Sequence, residues 1–388
     1  MYVRRLSLTN FRNYAKQELV LDPAPVLLLG ENAQGKTNLL EAVFLLATGR
    51  SERASTDADL IAWSVRDDPQ PVARVVGEAE RRSGAVTVEV GIAGREGAND
   101  NLIASKRFKL NGVARRASDV IGAITAVLFT TDDMELVKGA PSGRRRYLDV
   151  MLSQAERPYV RALPRYNKLV TQRNALLKRI KEGSARRDEL PYWDEEIARE
   201  GALIIASRAG AVGEVSESAA AAHGRLSGER EELAVAYQPR FAEGWDAARI
   251  NASTVDDVAA AFLERLKATH TRDIAAGLTL TGPHRDDLSM TLGGESAASF
   301  ASRGQQRTAA LALRLAEARF LLQRTGEQPV LLLDDVLSEL DESRRGSVLD
   351  AIEAEQVMIT SPDPDRFPPA FVASAQRYSV QNGVAASM

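Results

Sequence analysis

The chain has 388 residues, 44% of them hydrophobic and 27% charged, with a formal net charge of −3. That length supports two or three domains with sizeable cores. The lack of cysteine excludes disulfides, a thiol nucleophile and Cys-ligated zinc, and suits a reducing compartment. No run approaches the ~20 apolar residues of a membrane span, and the start MYVRRLSLTNF is too poor in apolar residues for a signal peptide. The expected location is therefore the cytoplasm.

In chain order, residues 2–9 and 17–21 alternate as strands around the polar-aromatic turn Asn10-Phe11-Arg12-Asn13-Tyr14. Pro23 and Pro25 punctuate the approach to an apolar strand at 26–29. Next comes Gly30-Glu31-Asn32-Ala33-Gln34-Gly35-Lys36-Thr37, then a helical stretch from Asn38 to residue 46. Glycine, four residues and Gly-Lys-Thr between strand and helix make the phosphate-binding loop pattern. Backbone N–H groups and the positive end of the helix converge there, Lys36 reaches the β- and γ-phosphates, and Thr37 offers its hydroxyl to Mg²⁺. Residues 48–53 form a polar basic loop. Hairpins are expected at 72–79 with 85–92, and at 106–110 with 113 onward across Asn111-Gly112, followed by a strand at 123–130.

The pattern turns helical from 132 to about 181, with Pro158 and Pro164 as kinks or breaks. Helices are also expected at 190–226, opened by Pro191-Tyr192-Trp193, and at 255–270. The expected organisation is thus an α/β head from 1–131 plus 271–388, interrupted by a mostly helical lobe at 132–270. Strand and turn chemistry returns at 279–292. Ser302-Arg303-Gly304-Gln305-Gln306 then leads into a helix reaching about 323. Four apolar residues at 330–333 end in Asp334-Asp335, as a central parallel strand does. A last strand is expected at 356–360, and the small polar tail after Val380 reads as frayed.

A phosphate-binding loop needs a carboxylate near its metal. Asp334 would hold Mg²⁺ through water, and Asp335 would polarise the attacking water. Ser302 and Gly304 at a helix N-terminus are either a second phosphate site or an ordinary N-cap. Taken in order, the loop, the Ser-x-Gly-Gln segment, the strand with two Asp and Ser338-Glu339-Leu340-Asp341 resemble the ABC-type ATPase head. In that family the serine-glycine signature of one subunit caps the γ-phosphate on the loop of another, sandwiching two ATP molecules in a dimer. Ser338 and Asp341 would then belong to the D-loop. No aromatic residue stands before the loop strand to stack on adenine, and no histidine follows 356–360, which argues against a transporter motor. The long coiled coils of the chromosome-structuring (SMC) ATPases, and the Cys-x-x-Cys hook of the double-strand-break repair ATPase, are absent from the pattern.

The chain resembles the RecF recombination-mediator family through Leu8-Thr9-Asn10-Phe11-Arg12-Asn13-Tyr14, Gly30 to Asn38, LFTTDDMELVKGAPSGRRRYLD at 128–149, GPHRDDL at 282–288, and the stretches 300–317 and 330–341. Arg303 departs from the small residue usual in transporter signatures and matches the RecF version. The resemblance implies ATP and Mg²⁺ as cofactors, an ATP-dependent homodimer on gapped or junction DNA, and loading of the RecA recombinase with RecO and RecR. It also implies slow hydrolysis that times release, and contacts from Arg12 and Asn13 to the nucleotide. Two other readings stand beside it: a non-catalytic nucleotide-gated clamp or adaptor, and the head of a small SMC-like complex.

Between Lys138 and Arg187 fourteen Lys and Arg face three acids. Arg144, Arg145, Arg146, Arg161, Arg165 and Lys168, with Arg173, Lys178 and Arg179, are candidate DNA-phosphate contacts, or else a solvated helix face paired with the acidic 188–200 stretch. The three histidines are too scattered for a metal site. His284-Arg285-Asp286-Asp287 is a dense polar turn that either supports the nucleotide region or is purely structural. Trp63, Trp193 and Trp245 are expected to be packing residues.

Overall fold

The computed structural model describes residues 1–97, 102–229, 231–339, 345–346, 348–349 and 354–388. They form two compact units, residues 1–133 with 317–388, and residues 134–316. In chain order the first unit contributes β1 (Tyr2–Phe11), β2 (Tyr14–Val20), β3 (Val26–Leu29), α1 (Lys36–Thr48), β4 (Val72–Glu80), β5 (Val86–Glu96), β6 (Leu102–Leu110), β7 (Val113–Arg115) and β8 (Ala126–Thr130). The second contributes α2 (Pro141–Ala155), α3 (Arg157–Lys181), α4 (Leu190–Ser227), β9 (Leu233–Gln238), α5 (Val255–Ala276), β10 (Asp287–Leu292) and β11 (Glu295–Ser296). Helix α6 (Arg303–Thr325) crosses from one unit into the other, and β12 (Val330–Asp334), β13 (Val357–Ser361), β14 (Gln376–Gln381) and β15 (Val384–Ser387) complete the first.

The first unit holds two six-stranded sheets. One is antiparallel, in the order β2-β1-β4-β5-β6-β7. Its central strands β4 and β5 alternate buried and more exposed positions, β5 along Val86, Val88, Val90 and Ile92. Phe11 pairs directly with Tyr14, so the turn shrinks to Arg12 and Asn13 while both aromatic rings enter the core. The other sheet runs β15-β14-β3-β13-β12-β8, parallel throughout except for β15. The Val-Leu-Leu-Leu runs of β3 and β12 are buried along their whole length, the expected composition for strands covered on both faces. Helix α1 contacts strands of both sheets and is buried almost all round. The close approach depends on Gly77, whose Cβ would lie 2.5 Å from a Leu46 methyl. The fully buried Gln356 amide joins the sheets, accepting from Val3 N–H and donating to the carbonyls of Val3 and Asp22.

In the second unit, α4 packs on both α3 and α5. Gly201 lets α4 approach α5, since a Cβ there would lie 2.7 Å from the Phe262 ring. Pro158 does not break the chain. It occupies the first turn of α3, where a missing N–H costs nothing, and Pro164 lies within the same helix on its exposed side.

The chain does not re-enter the first unit at 271. Residues 271–316 stay with the second unit, because β9, which the sequence pattern had not revealed, pairs in antiparallel register with β10 from Asp287↔Gln238 to Leu292↔Leu233. The return comes within α6. The tail after Val380 is likewise ordered. Val380 is fully buried, and β14 and β15 form the outer strands of the parallel sheet. Among the described residues no helix is long and apolar enough to cross a membrane.

Candidate nucleotide-binding site

Strand β3 ends at Leu29, and the loop Gly30–Thr37 turns at the carboxyl edge of the parallel sheet into α1, the usual ligand position in an open α/β sheet. Gly30 has φ 152° and Gly35 φ 118°, and neither position has space for a side chain. A Cβ on Gly30 would sit 2.3 Å from the Val380 carbonyl oxygen, and one on Gly35 would strike Asn13 and the Tyr14 hydroxyl. Ala33 also takes a positive φ, 65°. Glu31 and Asn32 lie exposed at the outer bend. The N–H groups of Lys36 and Thr37 open α1 ahead of its first main-chain bonds, which run from Asn38 and Leu39 to the Gly35 carbonyl, and they point to where an anion would sit.

The Lys36 ammonium folds back inside the loop, donating to the carbonyls of Gly30 (2.6 Å) and Glu31 (2.7 Å). Burial lowers its pKa, and the carboxylates of Asp335 and Asp334 oppose that shift. Thr37 Oγ1 donates to Asp334 Oδ1 at 2.7 Å. The same carboxylate oxygen receives the Thr360 hydroxyl from β13 at 2.9 Å, and Thr360 Oγ1 in turn accepts the Asp335 N–H at 2.9 Å. Asp335 has φ 54°, an uncommon conformation for a residue that is not glycine. Thr37 and Asp334 thus place a hydroxyl and a carboxylate side by side, an oxygen donor set suited to a hard divalent cation such as Mg²⁺. Thr360 carried no signal in the sequence, because only the register of β13 between β3 and β12 brings it to the acids.

Arg12 and Asn13 brace the site. The Arg12 guanidinium is bound to Glu41 on α1 at 2.8 and 2.6 Å and to the Asp59 carbonyl at 2.9 Å, which ties the turn to the helix that follows the phosphate loop. Asn13 donates to the Gln34 carbonyl at 2.9 Å and accepts from the Asn38 side chain at 2.8 Å.

Ser302 stands exposed before α6. Its hydroxyl accepts from Gln305 N–H (3.3 Å) while Gln305 Oε1 accepts from Ser302 N–H (2.6 Å), the reciprocal pair of a capping box. Gln305 also donates to Glu231, and Gln306 N–H bonds back to the Ser302 carbonyl at 2.9 Å. Arg303 is exposed and Gly304 half-buried. The Ser338 side chain and Asp341 lie outside the described residues.

The basic block divides. Arg144 is not a surface cation. It is buried, bound in a forked pair to Asp287 at 2.7 and 3.0 Å, and donates to the Gly139 carbonyl. Arg173 is also removed from the surface, fully buried between Asp194 and Asp273 at 2.8 Å each. Arg145 is half-buried and donates to the Asp286 carbonyl at 2.9 Å. Arg146, Arg161, Arg165 and Lys168 are exposed, with Arg165 3.6 Å from Glu200; Lys178 and Arg179 continue the exposed set along α3. Asp194 lies in the acidic 188–200 stretch that the sequence offered as a partner, but Asp273 and Asp287 are about 100 and 143 positions from Arg173 and Arg144, so the sequence could not tell which cations they take out of solvent.

The His284-Arg285-Asp286-Asp287 turn is structural in the second unit. Asp286 receives Tyr237, Arg208 and the Arg240 N–H, and His284 is held by Tyr166 at 2.6 Å and the Thr279 carbonyl at 2.9 Å. Burial pushes the His284 pKa down to about 4. Of the tryptophans, Trp63 is exposed under an Arg66 guanidinium 3.7 Å from its ring centre, while Trp193 packs against a buried leucine cluster.

The chain matches the RecF/RecN/SMC N-terminal domain family over residues 2–384. It is 43% identical over 395 aligned positions to the DNA replication and repair protein RecF of Chloroflexus aggregans, covering 99% of each chain. It is 35% identical to the protein of the same name from Geobacillus thermodenitrificans, with both chains fully covered. A solved structure of the recombination mediator protein RecF-ATP of the RecFOR pathway superposes with a TM-score of 0.84 at 32% identity, covering 100% of this chain and 97% of that one. An SMC head bound to the C-winged helix domain of ScpA, at 16% identity and TM-score 0.53, shares the fold.

Proposed function

Because the chain belongs to the RecF/RecN/SMC family, with relatives named RecF along its full length, we propose that it is an ATP-gated DNA-binding recombination mediator. The observation that carries this reading is the convergence of Lys36, Thr37 and Asp334 at the carboxyl edge of one parallel sheet, in a chain 32% identical to a RecF-ATP structure. On binding ATP, Lys36 exchanges the carbonyls of Gly30 and Glu31 for β- and γ-phosphate oxygens. Thr37 and Asp334 hold Mg²⁺, which when bound neutralises charge on those phosphates. Asp335 orients the attacking water. Ser302 and Gly304 of a second copy cap the γ-phosphate, an assignment supported by the exposure of Ser302. Arg146, Arg161, Arg165 and Lys168 contact DNA phosphates near a gap or junction, RecO and RecR are the partners, and slow hydrolysis releases the dimer.

Sedimentation of wild type and Ser302→Arg with a gapped duplex, with and without Mg-ATP, tests this. The expected result is a DNA-bound dimer for wild type only with ATP, and a variant that binds ATP yet stays monomeric. A wild type that remains monomeric with ATP, or a variant that dimerises equally well, overturns the sandwich. Asp335→Asn separates a timer from a passive clamp: a timer becomes trapped on DNA, whereas a clamp cycles unchanged.

A further inference from the structure

β14 and β15 are joined by Asn382 and Gly383, an Asn-Gly turn with φ of 48° and 74°. This turn reaches the phosphate loop of the same unit. Asn382 N–H donates to Gln34 Oε1 at 2.8 Å, and Gly383 N–H donates to the Gln34 carbonyl at 3.1 Å. Asn13 Nδ2 occupies the same carbonyl at 2.9 Å. The fit is close: a Cβ on Gly383 would stand 2.2 Å from the Asn13 carbonyl oxygen. Gln17 secures β15 from the other side, exchanging two hydrogen bonds with the main chain of Ala385.

In a trans peptide the C=O and the following N–H point to opposite sides. A Gln34 carbonyl held on two donors therefore turns the Gly35 N–H the other way, out of the turn's reach and free for an anion. The Gly35 carbonyl, which accepts the Tyr14 hydroxyl at 3.0 Å and the N–H groups of Asn38 and Leu39 at 3.0 and 3.3 Å, likewise turns the Lys36 N–H the other way. A loop with positive φ at Ala33 and Gly35 has other conformations open to it once these anchors are removed. Apparent affinity then falls in proportion to the binding-competent fraction, while turnover of what is bound is preserved.

We propose that the Asn382-Gly383 turn is a positioning element of the nucleotide site: by gripping both the side chain and the carbonyl of Gln34, it presets the N–H groups of the phosphate loop and sets ATP affinity. The proposal rests on the ATP-binding reading above.

The test is binding of a fluorescent ATP analogue with Mg²⁺ to the full chain, with turnover at saturation and a urea midpoint without nucleotide. Gly383→Val drives a side chain into Asn13, and Gln34→Ala removes one acceptor while leaving the fold's main-chain bonds intact. Each is expected to raise Kd and KM roughly tenfold with kcat within about twofold, and the double variant to be no worse than the worse single, because both disrupt the same junction. Gly112→Val is the control. It places the same substitution at the Asn111-Gly112 turn, where φ is +78° and nothing lies within 4 Å, and should leave Kd unchanged. Gln34→Ala carries the test alone if Gly383→Val does not fold. Wild-type Kd in Gln34→Ala, multiplicative effects in the double, or an equal Kd rise in Gly112→Val overturns the proposal. Failure of wild type itself to bind removes the ATP reading and this one with it.

Discussion

Thr360→Val tests how the acids at the end of β12 are held. Thr360 is 2% exposed, and its hydroxyl performs two tasks, donating to Asp334 Oδ1 and accepting the Asp335 N–H, both at 2.9 Å. Valine keeps the shape and removes both bonds. A hydrogen bond to a carboxylate contributes about 1.5–3 kcal/mol, and a buried N–H left unpaired costs about 1–3 kcal/mol. Since one hydroxyl makes both bonds, the combined loss is about 2–4 kcal/mol. Asp334 retains Thr37, so ATP affinity should change little. Asp335, held at φ 54°, loses the anchor of its N–H, so hydrolysis at saturating ATP should fall at least about tenfold, equivalent to about 1.4 kcal/mol of barrier. Urea unfolding gives the stability change, and single-turnover hydrolysis beside nucleotide titration gives the functional split. Thr360→Ser should restore both. Lost stability with wild-type hydrolysis would refute the claim that Thr360 positions Asp335, and unchanged stability would refute the hydrogen-bond accounting itself.

Replacing Arg161, Arg165 and Lys168 together by Ala should weaken duplex binding and flatten its salt dependence, by about one unit of slope for each phosphate these cations neutralise, at a stability cost of no more than the ~1 kcal/mol of an exposed ion pair such as Arg165–Glu200; an unaltered salt slope excludes these side chains from the DNA interface. Arg144→Ala should behave in the opposite way, destabilising the second unit by about 3 kcal/mol or more because it strands Asp287, while the folded fraction keeps its DNA affinity. His284 supplies a pH dependence. Its folded pKa of about 4 lies below the ordinary 6.5, so the unfolded chain binds the extra proton between those values. The stabilisation is complete above pH 6.5 and is lost as pH falls towards 4, amounting to up to about 3 kcal/mol. Urea midpoints measured from pH 7.5 to 4 should show that slope in wild type and a reduced slope in His284→Gln.

The elements that short-range physics controls were legible in the sequence. The phosphate loop could be read because a glycine-rich bend between an apolar strand and a helix leaves its mark within eight consecutive residues. The buried strand at 330–334 and the Asn111-Gly112 hairpin could be read for the same reason. A comparable signal existed at Asn382-Gly383, where alternation on both sides of an Asn-Gly pair marks a hairpin. What remained hidden was set by partners far along the chain. Arg144 and Arg161 look alike in sequence, but Asp287 lies 143 positions from the first and takes it out of solvent. β9 became a strand because β10, about fifty residues on, pairs with it, and that pairing keeps 271–316 in the second unit. The C-terminal residues meet Gln34 across 348 positions. Local composition decides which bend or period a segment can adopt, whereas burial, ion pairing and the bracing of the phosphate loop depend on the neighbours that tertiary structure brings within about 3 Å, the range over which hydrogen bonds act.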